Sequence, residues 1–293
     1  MEFPFSNPQT NPHLFIIELL VFISGAVLLA RFCSFQKKKK QSLLGDDNLL
    51  SAHKLHLGEL LFFIPLFFFL FLISYATLHF LWVMLLLFLN QDLQNTSVGY
   101  DFETELSFII ASFPTLLIWK YITDFKAKTP ISPTRINWIK AFIKGTKYYL
   151  CYVSLSIILE LIMYLGFQIL IYYGHNYQFN DQEIITLIKD LKGPLPIALS
   201  LIATCIIAPI VEEYIFRAGL YRYLKSLMNR PLAMIVNGLV FGSIHFYLIG
   251  IPDFMVFSIV QCIAYERSGS IKVPIVIHAV NNTLVITVIF LLQ

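Results

Sequence analysis

Apolar runs of about twenty residues recur along this chain, separated by short loops that hold most of its charge, and a bilayer core roughly 30 Å thick demands helices of that length. Eight such runs can be placed in the 293 residues: Leu14–Phe35, Leu57–Leu89, Leu106–Ile122, Tyr148–Tyr173, Leu195–Phe216, Pro231–Leu248, Pro252–Tyr265 and Val273–Leu292. The second is long enough to tilt, or to kink near Pro65; the seventh is short and weak. Inside a bilayer no water is present to bond the backbone, so each N–H and C=O must be satisfied within its own segment, as in a helix. The expected fold is therefore all-α: a polytopic integral membrane protein with about eight transmembrane helices. Composition bears this out, since only 13% of residues are charged against 57% hydrophobic, while soluble domains carry roughly 25% charge.

The distribution of charge orients the chain. Lys37 to Lys40 follow the first run, and Asp92, Asp101, Glu103 and Glu105 follow the second. Lys126, Lys128, Arg135, Lys140, Lys144 and Lys147 follow the third, Arg222, Lys225 and Arg230 the fifth, and Arg267 and Lys272 the seventh. The loop after the fourth is mixed, and the turn after the sixth has no basic residue. Basic loops thus alternate, and the positive-inside rule puts them in the cytoplasm with both termini outside. Met1 to His13 is polar and lacks a basic region, and the run behind it exceeds a signal-peptide core, so it reads as a retained helix. A net charge of +3 is too small to imply nucleic acid as a partner. Cys33, Cys151, Cys205 and Cys262 form no CxxC pair and read as apolar packing residues.

Two regions differ in character. Residues 1–149 are rich in Phe and Leu, with about three spans and few ionisable groups inside them. Residues 150–293 carry several polar groups at membrane depth, all between 195 and 292. Ionisable residues inside spans are costly, so each is a functional hypothesis.

The first group is Glu212, Glu213 and Arg217. Adjacent carboxylates on a helix point about 100° apart, so both cannot face one partner squarely. Glu213 and Arg217 are four apart in the favourable order for a helical ion pair. That leaves Glu212 facing another helix or a wet cavity. The second group is Phe241, Gly242, Ser243 and His245, where the small residues allow a neighbouring helix to approach. The third is His278 and Asn282, four apart on one helical face, with Asn281 pointing elsewhere. Together they make a hydrolytic site: Glu212 accepts a proton from water, His245 holds or shares that water, and His278 and Asn282 donate hydrogen bonds to an oxyanion. Each group alone is also ordinary interhelical glue. Glu212, His245 and His278 are equally a possible zinc ligand set, and spacing does not choose between metal-bound and glutamate-activated water.

These residues resemble the CPBP family, the CAAX protease and bacteriocin-processing (Abi) proteins, which include the type II CAAX prenyl endopeptidases. The family pattern of EExxxR, FxxxH and HxxxN is matched in order by Glu212, Glu213 and Arg217; Phe241 and His245; His278 and Asn282. The resemblance covers about a third of the chain. It implies an intramembrane peptidase in which Glu212 and His245 activate water without a metal. His278 and Asn282 would stabilise the oxyanion, with Glu213, Arg217 and Phe241 supporting. The implied substrate is a peptide or a membrane-anchored protein, lipidated CAAX proteins being one option. The implied setting is the plasma membrane of a cell whose Phe, Ile, Lys and Asn bias reads as bacterial. Two other readings stand beside this one. A non-catalytic protein of the same fold would bind a membrane protein partner or confer bacteriocin immunity. A proton-coupled transporter would show inverted repeats, and no repeat is visible.

Overall fold

The computed structural model describes residues 61–88, 97–122, 130–173 and 194–291, with isolated positions 23, 26, 27, 30, 50 and 58. Most of the first expected span, the Lys37–Lys40 run, Cys33, Asp92, Lys126, Lys128, the mixed loop after the fourth span and both termini lie outside the described residues. All regular elements described are helices: α1 (Phe63–Phe88), α2 (Ser97–Tyr121), α3 (Trp138–Tyr172), α4 (residues 194–224), α5 (Arg230–Ser243), α6 (Ile251–Ser268) and α7 (Lys272–Leu291).

The chain is a multi-pass membrane protein. Four described helical stretches are long and apolar enough to cross a bilayer: Pro65–Leu85, Trp138–Tyr172, Ile197–Leu224 and Leu248–Ser268. Leu106–Tyr121 and Lys272–Val288 are apolar but shorter. The expected count of eight is not reproduced among the described residues, and the individual spans differ from expectation in informative ways. α1 begins at Phe63, two residues before Pro65, and a turn at Phe62 precedes it, with the Phe62 N–H bonded to Gly58 O. α2 starts at Ser97, so Asp101, Glu103 and Glu105 belong to a helix rather than to an acidic loop. α3 starts ten residues before the expected Tyr148, with the Asn137 side chain accepting from the Lys140 N–H as its N-cap. The sixth expected span stops at Ser243, and the seventh, judged weak, is a full helix from Ile251 to Ser268.

The described chain divides into two compact units, each built from three stretches. One comprises residues 1–51, 132–182 and 227–277. Here α5 packs on α6, and α6 on α3. Glycine lets helices approach closely here: a Cβ on Gly238 of α5 would lie 2.9 Å from Met255 Cγ of α6, and one on Gly145 of α3 only 2.6 Å from Val276 Cγ1 of α7. Asn237 donates to Ser258 Oγ at 3.0 Å in the buried α5–α6 seam. α6 ends on Gly269 in the left-handed conformation (φ 61°), with its N–H bonded to Tyr265 O. The segment before α3 clasps that turn. Thr134 N–H donates to Gly269 O, Ile271 N–H to Ser132 Oγ, and Lys272 Nζ to Ile136 O. Trp138 at one end of α3 and Tyr172 and Tyr173 at the other are exposed, as aromatic anchors at two membrane interfaces are.

The other unit comprises residues 52–131, 183–226 and 278–293. α1 packs on α2, and α2 on the first half of α4. Phe68, Phe69, Leu72 and Phe80 of α1 are exposed, which suits lipid. Buried Glu103 of α2 bonds His79 of α1 at 2.9 Å, and this partner offsets the cost of a carboxylate within the helix pair.

Candidate active site

α4 is not a uniform helix. It is α-helical over Pro194–Ile202, π-helical over Ala203–Ile207, α-helical over Ala208–Glu213, π-helical over Tyr214–Tyr221 and α-helical over Arg222–Leu224. Pro209 accounts for the first widened turn, since it has no N–H to offer the carbonyls behind it. Ala208 N–H reaches five residues back to Ala203 O, and the next carbonyl in that register, Thr204 O, would need the N–H that Pro209 lacks. Thr204 O is instead bonded by Asn282 Nδ2 of α7 at 2.9 Å. The Asn282 amide therefore repairs a backbone defect, and one of its two N–H groups is committed to doing so. Asn281 donates to Asn282 Oδ1 at 3.4 Å.

The two carboxylates fall at the start of the second widened stretch. Glu213 and Arg217 are both fully buried and paired at 3.0 Å, as their spacing predicts. The same oxygen, Glu213 Oε1, lies 2.9 Å from His278 Nδ1. A carboxylate only accepts, so Nδ1 carries the proton, and the remaining nitrogen, Nε2, is turned toward Glu212 Oε2 at 3.8 Å. The imidazole thus meets both neighbouring carboxylates because its two nitrogens diverge; only Glu213 is met at hydrogen-bond distance. Glu212 Oε2 is itself buried with no hydrogen-bond partner among the described residues, although the side chain as a whole is 26% exposed. A buried, unsatisfied carboxylate oxygen beside an imidazole nitrogen can receive a proton from a small donor such as water.

His245 belongs to the other unit and lies beyond the helix expected to carry it. α5 closes at Ser243, and the chain leaves through a turn in which Phe246 takes φ 50°. This left-handed residue reverses the chain toward the short 3-10 turn Leu248–Gly250 and α6. In that turn His245 Nδ1 donates to Phe241 O at 2.7 Å, leaving Nε2 as the available nitrogen. Phe254 stacks on the ring at 4.3 Å, and Phe241 contacts it at 4.7 Å. Phe241 is thus a buried support for His245 through both its ring and its carbonyl.

Sequence spacing overlooked a polar cluster beside His245. Asp253, in the first turn of α6, accepts from Tyr152 OH at 2.7 Å and from Ser156 Oγ at 2.5 Å, both on α3. Its one visible signal was a carboxylate in a run otherwise uncharged. Cys262 is buried, Cys151 and Cys205 are half-buried, and none of the three is in a disulfide among the described residues. The described residues contain no group of three or more His, Cys, Asp and Glu placed to hold a metal ion.

Residues 194–284 match the family described as Rce1-like, the type II CAAX prenyl endopeptidase Rce1-like proteins, and that stretch contains all three motifs. The resemblance drawn from those motifs is borne out over this part of the chain. YdiL of Bacillus subtilis (strain 168), provisionally named a membrane peptidase, is 29% identical over 107 residues, 36% of this chain and 41% of its own. The membrane-embedded CAAX protease MroQ of Staphylococcus aureus (strain USA300) is 29% identical over 122 residues, 40% of this chain and 47% of its own. The matched part thus spans less than half the length of either relative. No solved structure matches the chain with significance.

Proposed function

We propose that this chain, similar over residues 194–284 to the type II CAAX prenyl endopeptidases, is an intramembrane endopeptidase of a bacterial plasma membrane. Its peptidase core would be residues 150–293, with residues 1–149 as an N-terminal transmembrane extension. It hydrolyses a peptide bond in a membrane-associated or lipidated peptide or protein. The observation that carries this reading is the buried chain of contacts from Arg217 through Glu213 and His278 to the unsatisfied oxygen of Glu212.

In this reading Glu212, with His245 Nε2, takes a proton from water as the water oxygen attacks the scissile carbonyl carbon. The tetrahedral oxyanion is met by His278 and Asn282. Asn282 has one N–H left for this after bonding Thr204 O. His278 donates from Nε2 when the ring carries both protons, with Glu213 accepting the one on Nδ1. Glu212 then returns its proton to the amine as the C–N bond breaks. Arg217 holds Glu213 in place and Phe241 holds His245.

The test is cleavage of a quenched library of hydrophobic and lipidated peptides by the full chain in liposomes, beside Glu212→Ala, with and without a strong chelator. Cleavage by the wild type alone and unaffected by chelator is the expected result. Activity lost on chelation and restored by zinc would overturn the glutamate-activated water. No cleavage by either protein, together with capture of a membrane protein partner, would favour the immunity or scaffold reading.

A further inference from the structure

His245 is fixed by neighbours rather than by its own helix. Its Nδ1 is tied to Phe241 O, and its ring lies against Phe254. Phe254 follows directly on Asp253, whose carboxylate is gripped by two hydroxyls one helical turn apart on α3, those of Tyr152 and Ser156. Tyr152 is buried and its ring also packs on Phe257 at 4.8 Å, so its hydroxyl is held where Asp253 meets it. Asp253 also sits in the first turn of α6, where the N-terminal partial positive charge favours a carboxylate. The α5–α6 approach is set independently by Gly242, where a Cβ would lie 3.2 Å from Ile251 O. Interhelical glue alone needs only one of these contacts. Two hydroxyls on a single carboxylate fix both the rotation of α6 and the place of its first turn, and the residue that turn presents is the one stacked on His245.

We infer that Asp253, clamped by Tyr152 and Ser156, is a positioning residue for His245: it sets Phe254 against the imidazole and so fixes where Nε2 points. This rests on the peptidase reading for its consequence, but not for its measurement. Asp253 touches no reacting atom in this account; it acts through Phe254.

The experiment uses the full chain in nanodiscs with isotope-labelled histidine, the His245 resonances being assigned by loss in His245→Asn. In the wild type His245 is expected as one Nδ1–H species. In Asp253→Asn and in Tyr152→Phe its signals shift or broaden as other ring positions fill, while those of His278 stay in place. Ser154→Ala is the control: Ser154 is buried on the same helix and donates to Leu150 O along α3. If Asp253→Asn does not fold, Tyr152→Phe still decides, because it keeps the ring packing and removes one hydroxyl. Where a peptide is cleaved, the same variants should lower kcat by about tenfold to a hundredfold at little-changed KM, as a displaced group does. His245 signals unmoved while thermal stability falls would reduce Asp253 to helix–helix glue and overturn the inference. Absence of any cleavage by the wild type would instead count against the peptidase reading and leave the resonance comparison to decide this one.

Discussion

Glu212 and Glu213 share a peptide bond and meet different surroundings. Glu213 is fully buried against Arg217 and His278, and Glu212 is partly exposed with one orphaned oxygen. Substitutions should therefore separate stability from activity. Glu213→Ala takes the carboxylate from a buried arginine and should cost about 3 to 5 kcal/mol, read as a large fall in the unfolding midpoint in detergent. Glu212→Gln keeps shape and most contacts, and should change stability by about 1 kcal/mol or less while abolishing cleavage. Equal loss of stability in both variants would show that Glu212 is held by contacts of the same weight as Glu213, against the proposed division of labour. Asn282→Leu should destabilise even without any substrate. It strands Thr204 O beside a proline that cannot bond it, and a lost interhelical hydrogen bond in a membrane costs about 0.6 to 1.7 kcal/mol.

At the scale of the helix, close approach and chain reversal decide where side chains end up. Gly145→Ala would drive a methyl into Val276, a β-branched side chain with little freedom to move, and should cost about 1 to 3 kcal/mol. Gly166→Ala, in the same helix with nothing near its added Cβ, should stabilise by about 0.5 to 1 kcal/mol. A thermal-shift comparison of the two checks the packing of α3 directly; equal effects would mean that α3 does not approach α7's first turn as closely as drawn. The turn after α5 is the second instance. Phe246 is 95% exposed at φ 50°, and strain of this kind is kept where the surrounding structure over-determines it. Ending α5 at Ser243 takes His245 off the helix and lets its Nδ1 reach back to Phe241 O.

For the molecule as a whole, the alternation of basic loops proposes an orientation in the membrane. With Arg222 and Lys225 in the cytoplasm, a cysteine placed at Lys225, in a chain whose own four cysteines are replaced, should resist an impermeant maleimide in intact cells and react after lysis. Labelling in intact cells would invert the topology and with it the side from which substrate is approached. The acidic stretch shows how far charge counting reaches. It put Glu103 in an outside loop, whereas the structure places it buried in α2 against His79.

Much of this was readable from the chain because a bilayer imposes one-dimensional rules. Run length marks both ends of α7 and one end each of α1, α3 and α4 to within a residue, and the cost of buried charge singles out Glu212, Glu213, Arg217, His245 and His278 without any fold. The i, i+4 pairing of Glu213 with Arg217 was likewise local. What lay beyond the sequence is every contact between residues far apart in it. Glu213 and His278 are 65 residues apart, Asn282 and Thr204 are 78, and Tyr152 and Asp253 are 101. Periodicity says which face of a helix is apolar but not which neighbour that face meets or at what height. Only the packed helices decide that one nitrogen of His278 is spent on Glu213 while the other faces Glu212, and that a carboxylate in a weak apolar run becomes the anchor of a helix.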